Sequence, residues 1–378
     1  MNFLKENAVG GDDTMICLES QSRHQSKVFN MNPCVSCMID SFPLGTQPTY
    51  HTQTVSPPTF NNQSLENIDL FFANLAKCEK IQSLDFKLTS MNHQQLIALF
   101  SGISTLKNLR SLKLSFMINQ LKQNEEYLEL GTQFRKIANL NSLKFKLQYN
   151  QINDAQAIEI VNGLSHLTNL TYLYIGLWQN IIGNEGAVAI GNLLCSLKNL
   201  TNLRLCLGGN SIQDLGAVSI SKGISELKNL ANLKFFLWRN QIGNEGAFML
   251  GKAFTNLHGL KLLKLSLENN LIEDLGGNSL LDGLSACSNL INLSLSLKQN
   301  KTTIQFNFNV SKCICGLKSL LSLELKLIED CNYFKYGLLN CAHLKILKIV
   351  LEYKSQIKYV VKMAALKLKR LIKLEILS

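Results

Sequence analysis

Apolar residues follow two rhythms along most of this chain, and the two alternate. In "LTYLYIGLWQN", Leu173, Ile175 and Leu177 fall on every second position, the period of a strand with one buried face. Just downstream, in "GAVAIGNLLCSLKNL", Ala187, Ile190, Leu194 and Leu197 recur at spacings of three and four, the stripe of an amphipathic helix. Asparagine stands at Asn150, Asn180, Asn210, Asn240, Asn270 and Asn300, each thirty residues after the last, and each closes the same strand phrase. The other clear copies read "LTNLRLCLGGN", "LANLKFFLWRN", "LKLLKLSLENN" and "LINLSLSLKQN". Weaker ones begin at Leu84, Leu112, Leu323, Leu347 and Leu374. A fixed period of this length marks a stacked repeat, in which no unit can bury its apolar edge by itself.

Asp154, Asn184, Asp214, Asn244 and Asp274 stand just ahead of the helical stripe, where a side-chain oxygen can accept from the first free backbone amides, so we predict them as N-caps. Gly186, Gly216, Gly246 and Gly276 follow, and their lack of a side chain predicts close packing against the next repeat. The phrase L-x-x-L-x-L-x-x-N-x-L, then x-D-x-G-A and a helix, is matched by Leu170 to Asn180, Ile182, Asn184, Gly186 and Ala187. It resembles the leucine-rich repeat, in the long-repeat branch typified by ribonuclease inhibitor and the Ran GTPase-activating protein. One additional L-x before the asparagine departs from that branch and lengthens the strand. The resemblance covers about residues 65–378, with the strongest copies at 140–300 and a degenerate C-terminal part. It implies an α/β leucine-rich-repeat solenoid (horseshoe) of about ten to eleven repeats, with a concave parallel β-sheet and convex helices. It also implies that the asparagines stack as a ladder satisfying backbone groups, so they are assigned no binding role.

Strand alternation decides which side chains reach the inner wall. With Leu173, Ile175 and Leu177 inside, Tyr174, Gly176 and Trp178 face outward, followed in the next repeats by Arg204, Cys206 and Gly208, then Lys234, Phe236 and Trp238. The two tryptophans sit in near-copies of one phrase, "LWQNIIGNEGA" and "LWRNQIGNEGA", sixty residues apart. Two strands of separation puts them roughly 10 Å apart. The expectation is two aromatic walls with Gly208 as a bare floor, extended by Tyr149, Tyr174 and Phe236 and rimmed by Arg204, Lys234 and Arg239. Exposed Trp, Tyr and Arg around a cleft are what interface cores favour. A plainer reading stays open: the rings lean over the glycines and cover the sheet, and the recurrence reflects a duplicated pair of repeats. Lys113, Lys144, Lys146, Lys298, Lys326 and Lys348 lie on the same face, with fewer acids, namely Asp85, Glu268, Glu324 and Glu352.

Composition adds a boundary. All five prolines, Pro33, Pro43, Pro48, Pro57 and Pro58, precede residue 63. Residues 1–63, rich in Asn, Gln, Ser and Thr without apolar periodicity, are expected to form a disordered tail, with the repeat domain at 64–378. The tail holds Lys5, Arg23 and Lys27 against Glu6, Asp12, Asp13, Glu19 and Asp40, a balance of −2; from a net +11 the repeat domain therefore carries +13. A basic body attracts acidic proteins, nucleic acid or anionic lipid. Neither a signal sequence nor an apolar run of membrane-spanning length is present, and eleven cysteines without a secretory signal point to reduced thiols, so the protein is expected in the cytoplasm, or the nucleus. Cys195 and Cys287 stand where leucine would serve and read as small core residues. Cys34 and Cys37 form a CxxC without a partner pair. The basic stretch from Glu352 to Leu374 can be read as an amphipathic binding helix or as the closing helix of the array.

No phosphate-cradling glycine loop, kinase set, serine elbow or histidine ligand spacing occurs, so neither catalytic residues, cofactor nor metal is expected. Three functions remain. The first is a scaffold holding an acidic protein partner on the concave face through Tyr149, Tyr174, Trp178, Arg204, Gly208, Lys234, Phe236, Trp238 and Arg239. The second, which the resemblance to the Ran GTPase-activating protein suggests, is a regulator of a small GTPase, although none of that family's functional residues can be matched here. The third is binding of nucleic acid or an anionic membrane through the basic face.

Overall fold

The structure, a computed structural model, describes residues 54–55, 69, 71–73, 81–88, 93–116, 124–326, 341, 343–350, 362–363, 365–368 and 370–377. The chain divides into two units, Met1–His51 and Thr52–Ser378, and every described residue lies in the second. The Cys34/Cys37 pair and residues 352–361 of the basic C-terminal stretch fall outside the described residues.

Among the described residues, twelve strands form one sheet whose order follows the chain. They are β1 (Thr54–Val55), β2 (Ser83–Leu88), β3 (Ser111–Phe116), β4 (Ser142–Lys146), β5 (Tyr172–Gly176), β6 (Asn202–Cys206), β7 (Asn232–Phe236), β8 (Leu262–Ser266), β9 (Asn292–Ser296), β10 (Ser322–Lys326), β11 (Ile346–Val350) and β12 (Lys373–Leu377). Every pairing is parallel. Between them run α1 (His93–Ser104), α2 (Asn124–Phe134), α3 (Asp154–Leu164), α4 (Asn184–Ser196), α5 (Asp214–Ser225), α6 (Asn244–Phe254), α7 (Asp274–Ser285) and α8 (Ile304–Gly316). This is the expected α/β solenoid (horseshoe), with about eleven strand–helix units. Strands stack about 4.8 Å apart and helices need about 8–10 Å, so the array bends with the sheet on the inner side. β1 lies within the stretch 1–63 read as a tail, so the sheet starts ahead of the composition boundary. At the other end the last described element is β12, paired on β11; the reading of residues 352–374 as a closing helix rests in good part on residues outside those described.

Alternation places the core as the apolar pattern requires. Leu173, Ile175 and Leu177 are sealed from solvent together with Ala187, Ile190 and Leu194 of α4 and Leu197 just after it, and the equivalent residues of the flanking repeats join them. In each turn the asparagine ties neighbouring repeats. The Asn240 side chain accepts from Ile212 N–H at 3.0 Å and donates to the carbonyls of Leu207 and Leu237, both at 3.0 Å. Asn180, Asn210, Asn270 and Asn300 repeat this arrangement. These backbone groups would otherwise be buried without partners, which accounts for the asparagine recurring from Asn150 to Asn300.

The capping expectation needs correction. Asp154, Asn184, Asp214, Asn244 and Asp274 are the first residues of their helices; the caps are Asn153, Gly183, Gln213, Gly243 and Glu273. The Asp or Asn oxygen instead serves the following repeat. Asp214 Oδ1 accepts from the N–H groups of Gly243 at 2.7 Å and Gly246 at 2.9 Å, at the start of α6. Asn184 does the same for Gln213 and Gly216, and Asn244 for Glu273 and Gly276. Helix starts are thus capped across repeats. Gly186, Gly216, Gly246 and Gly276 accordingly face the previous repeat, not the next: a Cβ on Gly246 would meet Asp214 Oδ1 at 2.8 Å.

A second set of glycines gives the sixty-residue recurrence a physical basis. A Cβ on Gly163, Gly223 or Gly283 would lie 2.0, 2.3 or 1.9 Å from the carbonyl oxygen of Gly131, Gly191 or Gly251. Helices α2 and α3, α4 and α5, and α6 and α7 therefore dock backbone to backbone. The members of this set lie sixty residues apart (Gly131, Gly191, Gly251), as the tryptophans do, so the building unit is a pair of repeats.

Candidate functional site

The sheet register lines inward-facing side chains into rows. One runs Asp85, Lys113, Lys144, Tyr174, Arg204, Lys234, Lys264, Ser294, Glu324, Lys348, Glu375 from β2 to β12. The next runs Lys87, Ser115, Lys146, Gly176, Cys206, Phe236, Ser266, Ser296, Lys326, Val350 from β2 to β11. Over β4 to β7 these rows hold four cations and three rings or thiols, and no carboxylate.

The side chains there are stacked, not splayed. Arg204 lies between two rings, its guanidinium carbon 4.5 Å from the centre of Tyr174 and 5.6 Å from that of Phe236. The ammonium groups of Lys144 and Lys146 stand 5.4 and 5.7 Å from the same tyrosine ring. Tyr174 does face the inner wall, yet only 4% of it meets solvent, because these cations cover it. Its ring is the base of a cationic cluster, and not an exposed flank of the patch. A guanidinium held flat on aromatic faces keeps its charge and its in-plane donors while losing little of its freedom on binding. Arg204 Nε is enclosed and meets no acceptor. Beneath it, burial pushes the Cys206 thiol up, with Arg204 pulling the other way. Lys234 stands exposed beside this group.

At the turn edge the tryptophans close the gap that strand spacing leaves. Their ring centres are 6.1 Å apart, well inside the roughly 10 Å expected, and Tyr149 packs edge-on to Trp178 at 4.6 Å. The Trp238 ring lies on Gly208, where an added Cβ would sit 2.3 Å from ring carbon Cε2. Gly208 is therefore buried. The two-walled cleft is replaced by a continuous aromatic layer, Tyr149, Trp178, Trp238, with Arg239 6.0 Å from the Trp238 ring centre. The plainer reading holds for the rings' posture: they lean and cover the sheet. Both tryptophans remain half-exposed, and Tyr149 is 39% exposed.

The turn that carries this layer is conformationally unusual. Tyr149, Gln179, Arg239, Asn269 and Gln299 adopt left-handed φ of 60, 56, 50, 54 and 54°, and Gly209 has 67°. For a residue with a Cβ that costs about 1–2 kcal/mol. It is held by N–H bonds to the next repeat: Gln179 to Gly208 O at 2.8 Å, Gly209 to Trp238 O at 2.7 Å, Arg239 to Glu268 O at 2.8 Å, Asn269 to Lys298 O at 2.8 Å. Trp178 and Trp238 immediately precede these residues, so the ladder turn fixes where their rings start.

Toward both ends of the described wall the lysines meet acids. Lys113 pairs with Asp85 at 2.6 Å, Lys326 with Glu268 at 3.3 Å, and Glu324 takes Lys348 at 3.0 Å and Lys264 at 3.7 Å. The face expected to be basic along its length thus carries two carboxylates, Glu268 and Glu324, that take up Lys264, Lys326 and Lys348 over β8 to β11, whereas the two rows at β4 to β7 hold four cations and no carboxylate. Sequence parity placed these residues on one wall; the ion pairs were missed because their partners lie one or two repeats apart. Pairing every acid with the cation one or two strands along its own or the next row would have found them.

The remaining candidates do not join the site. Cys287 is buried as expected, whereas Cys195 is only half-buried. Among the described residues no group of three or more His, Cys, Asp or Glu is arranged to hold a metal, and no helix is long and apolar enough to cross a membrane. No protein-family model matches the chain, and no curated protein matches it.

Proposed function

We propose that this chain is a non-enzymatic leucine-rich-repeat scaffold of the cytoplasm that holds an acidic protein partner on its inner wall, between β4 and β7. The observation that carries the reading is the cluster of Lys144, Lys146, Arg204 and Lys234 around Tyr174 and Phe236, bordered by the layer of Tyr149, Trp178 and Trp238. Rings supply large, stiff contact area, and a stacked guanidinium offers fixed donors to a carboxylate. Gathering the charge in a patch suits a compact acidic face. A nucleic acid or membrane would draw on a long basic strip, and the ion pairs over β8 to β11 interrupt one.

Affinity capture with wild type, Trp178→Ala/Trp238→Ala and Lys234→Glu tests this. Partners retained by the wild type and lost by both variants support the site. A partner list identical across the three, with circular dichroism unchanged, removes the patch from consideration.

A further inference from the structure

At the C-terminal end of the described array, Cys315 in the last turn of α8 and Cys341 ahead of β11 bring their sulfurs to 3.1 Å. The repeat makes this juxtaposition specific. Cys341 occupies the place held by Leu167, Leu197, Leu227, Leu257, Cys287 and Leu317, and Cys315 the place held by Ser165, Cys195, Ser225, Thr255 and Ser285. Of these pairs of places, one from each of two successive repeats, this is the pair with a thiol at both. The environments differ in the sense that chemistry needs. Cys315 is partly exposed, while Cys341 is 1% exposed. Sharing a proton with Cys341 holds the Cys315 thiol below its usual value, aided by Lys318, whereas Cys341 is pushed up by that same bond and by burial. The neighbouring Cys313 and Cys287 are buried and pushed up to about 11 and about 12, which leaves them inert as thiolates.

We propose that Cys315 and Cys341 are a hydroperoxide-reactive thiol pair, Cys315 the attacking and Cys341 the resolving residue, whose disulfide ties two successive repeats together. The Cys315 thiolate attacks one peroxide oxygen; the O–O bond breaks and the second oxygen leaves as an alcohol or water after taking a proton. Cys315 then carries S–OH. The Cys341 sulfur attacks that sulfur, the hydroxyl departs as water with the Cys341 proton, and an S–S bond forms. One hydroperoxide is reduced by two electrons and the two thiols are oxidised by two. Closing the sulfurs from 3.1 Å to a bonded ~2.05 Å asks for about an ångström of movement. This site is independent of the inner-wall reading.

The test treats the full chain with hydrogen peroxide, then alkylates it and maps peptides without reduction, using Cys313→Ser to remove ambiguity within the Cys313–Cys315 peptide. A cross-linked peptide lighter by two hydrogens and joining residues 315 and 341, reversed by dithiothreitol, is expected. In Cys341→Ser, Cys315 should accumulate as a sulfenic acid captured by dimedone; in Cys315→Ser, Cys341 should stay unmodified. If both thiols remain fully alkylatable after peroxide, or if either cross-links instead to Cys331 or another cysteine, the proposal is overturned. The wild-type map decides this even if a serine variant folds poorly.

Discussion

Asp214→Ala should loosen α6, a helix to which Asp214 does not belong. Its Oδ1 accepts from Gly243 N–H at 2.7 Å and Gly246 N–H at 2.9 Å, which are the cap and third-residue amides of α6. Loss of a helix-cap acceptor costs about 0.5–2 kcal/mol. Two donors are orphaned here, both part-buried and so partly open to water, which argues for the upper end, about 2 kcal/mol. The chain supplies its own control, since Asn184 and Asn244 do the same work in the alternate repeats. Asp214→Asn should therefore lose only the helix-end charge effect, about 0.5 kcal/mol. Hydrogen exchange resolved by peptide reads both variants locally: about 2 kcal/mol corresponds to roughly thirtyfold faster exchange in the first turn of α6, against about twofold for the asparagine variant. Faster exchange confined to α5, or equal effects of alanine and asparagine, would refute capping across repeats.

Gly208→Ala should lift the Trp238 ring off the sheet, because the new Cβ would lie 2.3 Å from Cε2; a red shift of tryptophan emission is expected, and an unchanged spectrum contradicts the packing. Gly283→Ala places a Cβ 1.9 Å from the Gly251 carbonyl, where neither backbone can yield, and should cost about 3 kcal/mol by thermal or urea unfolding. Gly316→Ala, which meets nothing within 4 Å, should be neutral or stabilising by up to about 1 kcal/mol; equal effects would sink the docking argument. Burial pushes the Glu324 carboxyl up, but hydrogen bonds from Lys348 and Ser294 and the charge of Lys264 outweigh it and hold it below the usual carboxylate value. A depressed value contributes stability above the unfolded carboxylate pKa of about 4.3 that is lost as pH falls through the folded one. Glu324→Gln should therefore flatten stability against pH below about 4 relative to wild type, while a parallel curve would mean the group does not titrate as described.

Strand register, buried face and repeat length were legible because each is a local periodicity repeated many times. Leu173, Ile175 and Leu177 could point only one way once their alternation matched five other copies. What escaped depends on where a side chain reaches beyond its own repeat. Asp214 stands at a helix start whichever helix it caps, and sequence carries no sign of the direction its oxygen takes. Trp238 is outward-facing by parity, but whether it stands clear or lies on Gly208 depends on rotamer and on the left-handed turn at Arg239. Tyr174 was legible as inward-facing and illegible as buried, since its cover comes from Arg204, Lys144 and Lys146 on neighbouring strands. The same reach beyond the repeat hid the thiol pair, whose members are 26 residues apart across a degenerate repeat.

The chain holds two tryptophans, Trp178 and Trp238, and both lie in the proposed site, so tryptophan emission, excited selectively over tyrosine, reports on that site alone. Titration with a poly-glutamate peptide at low and at high salt is the most direct measurement. The account predicts a saturable change in emission, weaker at high salt and weaker again in Arg204→Ser and Lys234→Glu. Emission indifferent to the peptide, or a binding curve that charge reversal at Lys234 leaves in place, would contradict it.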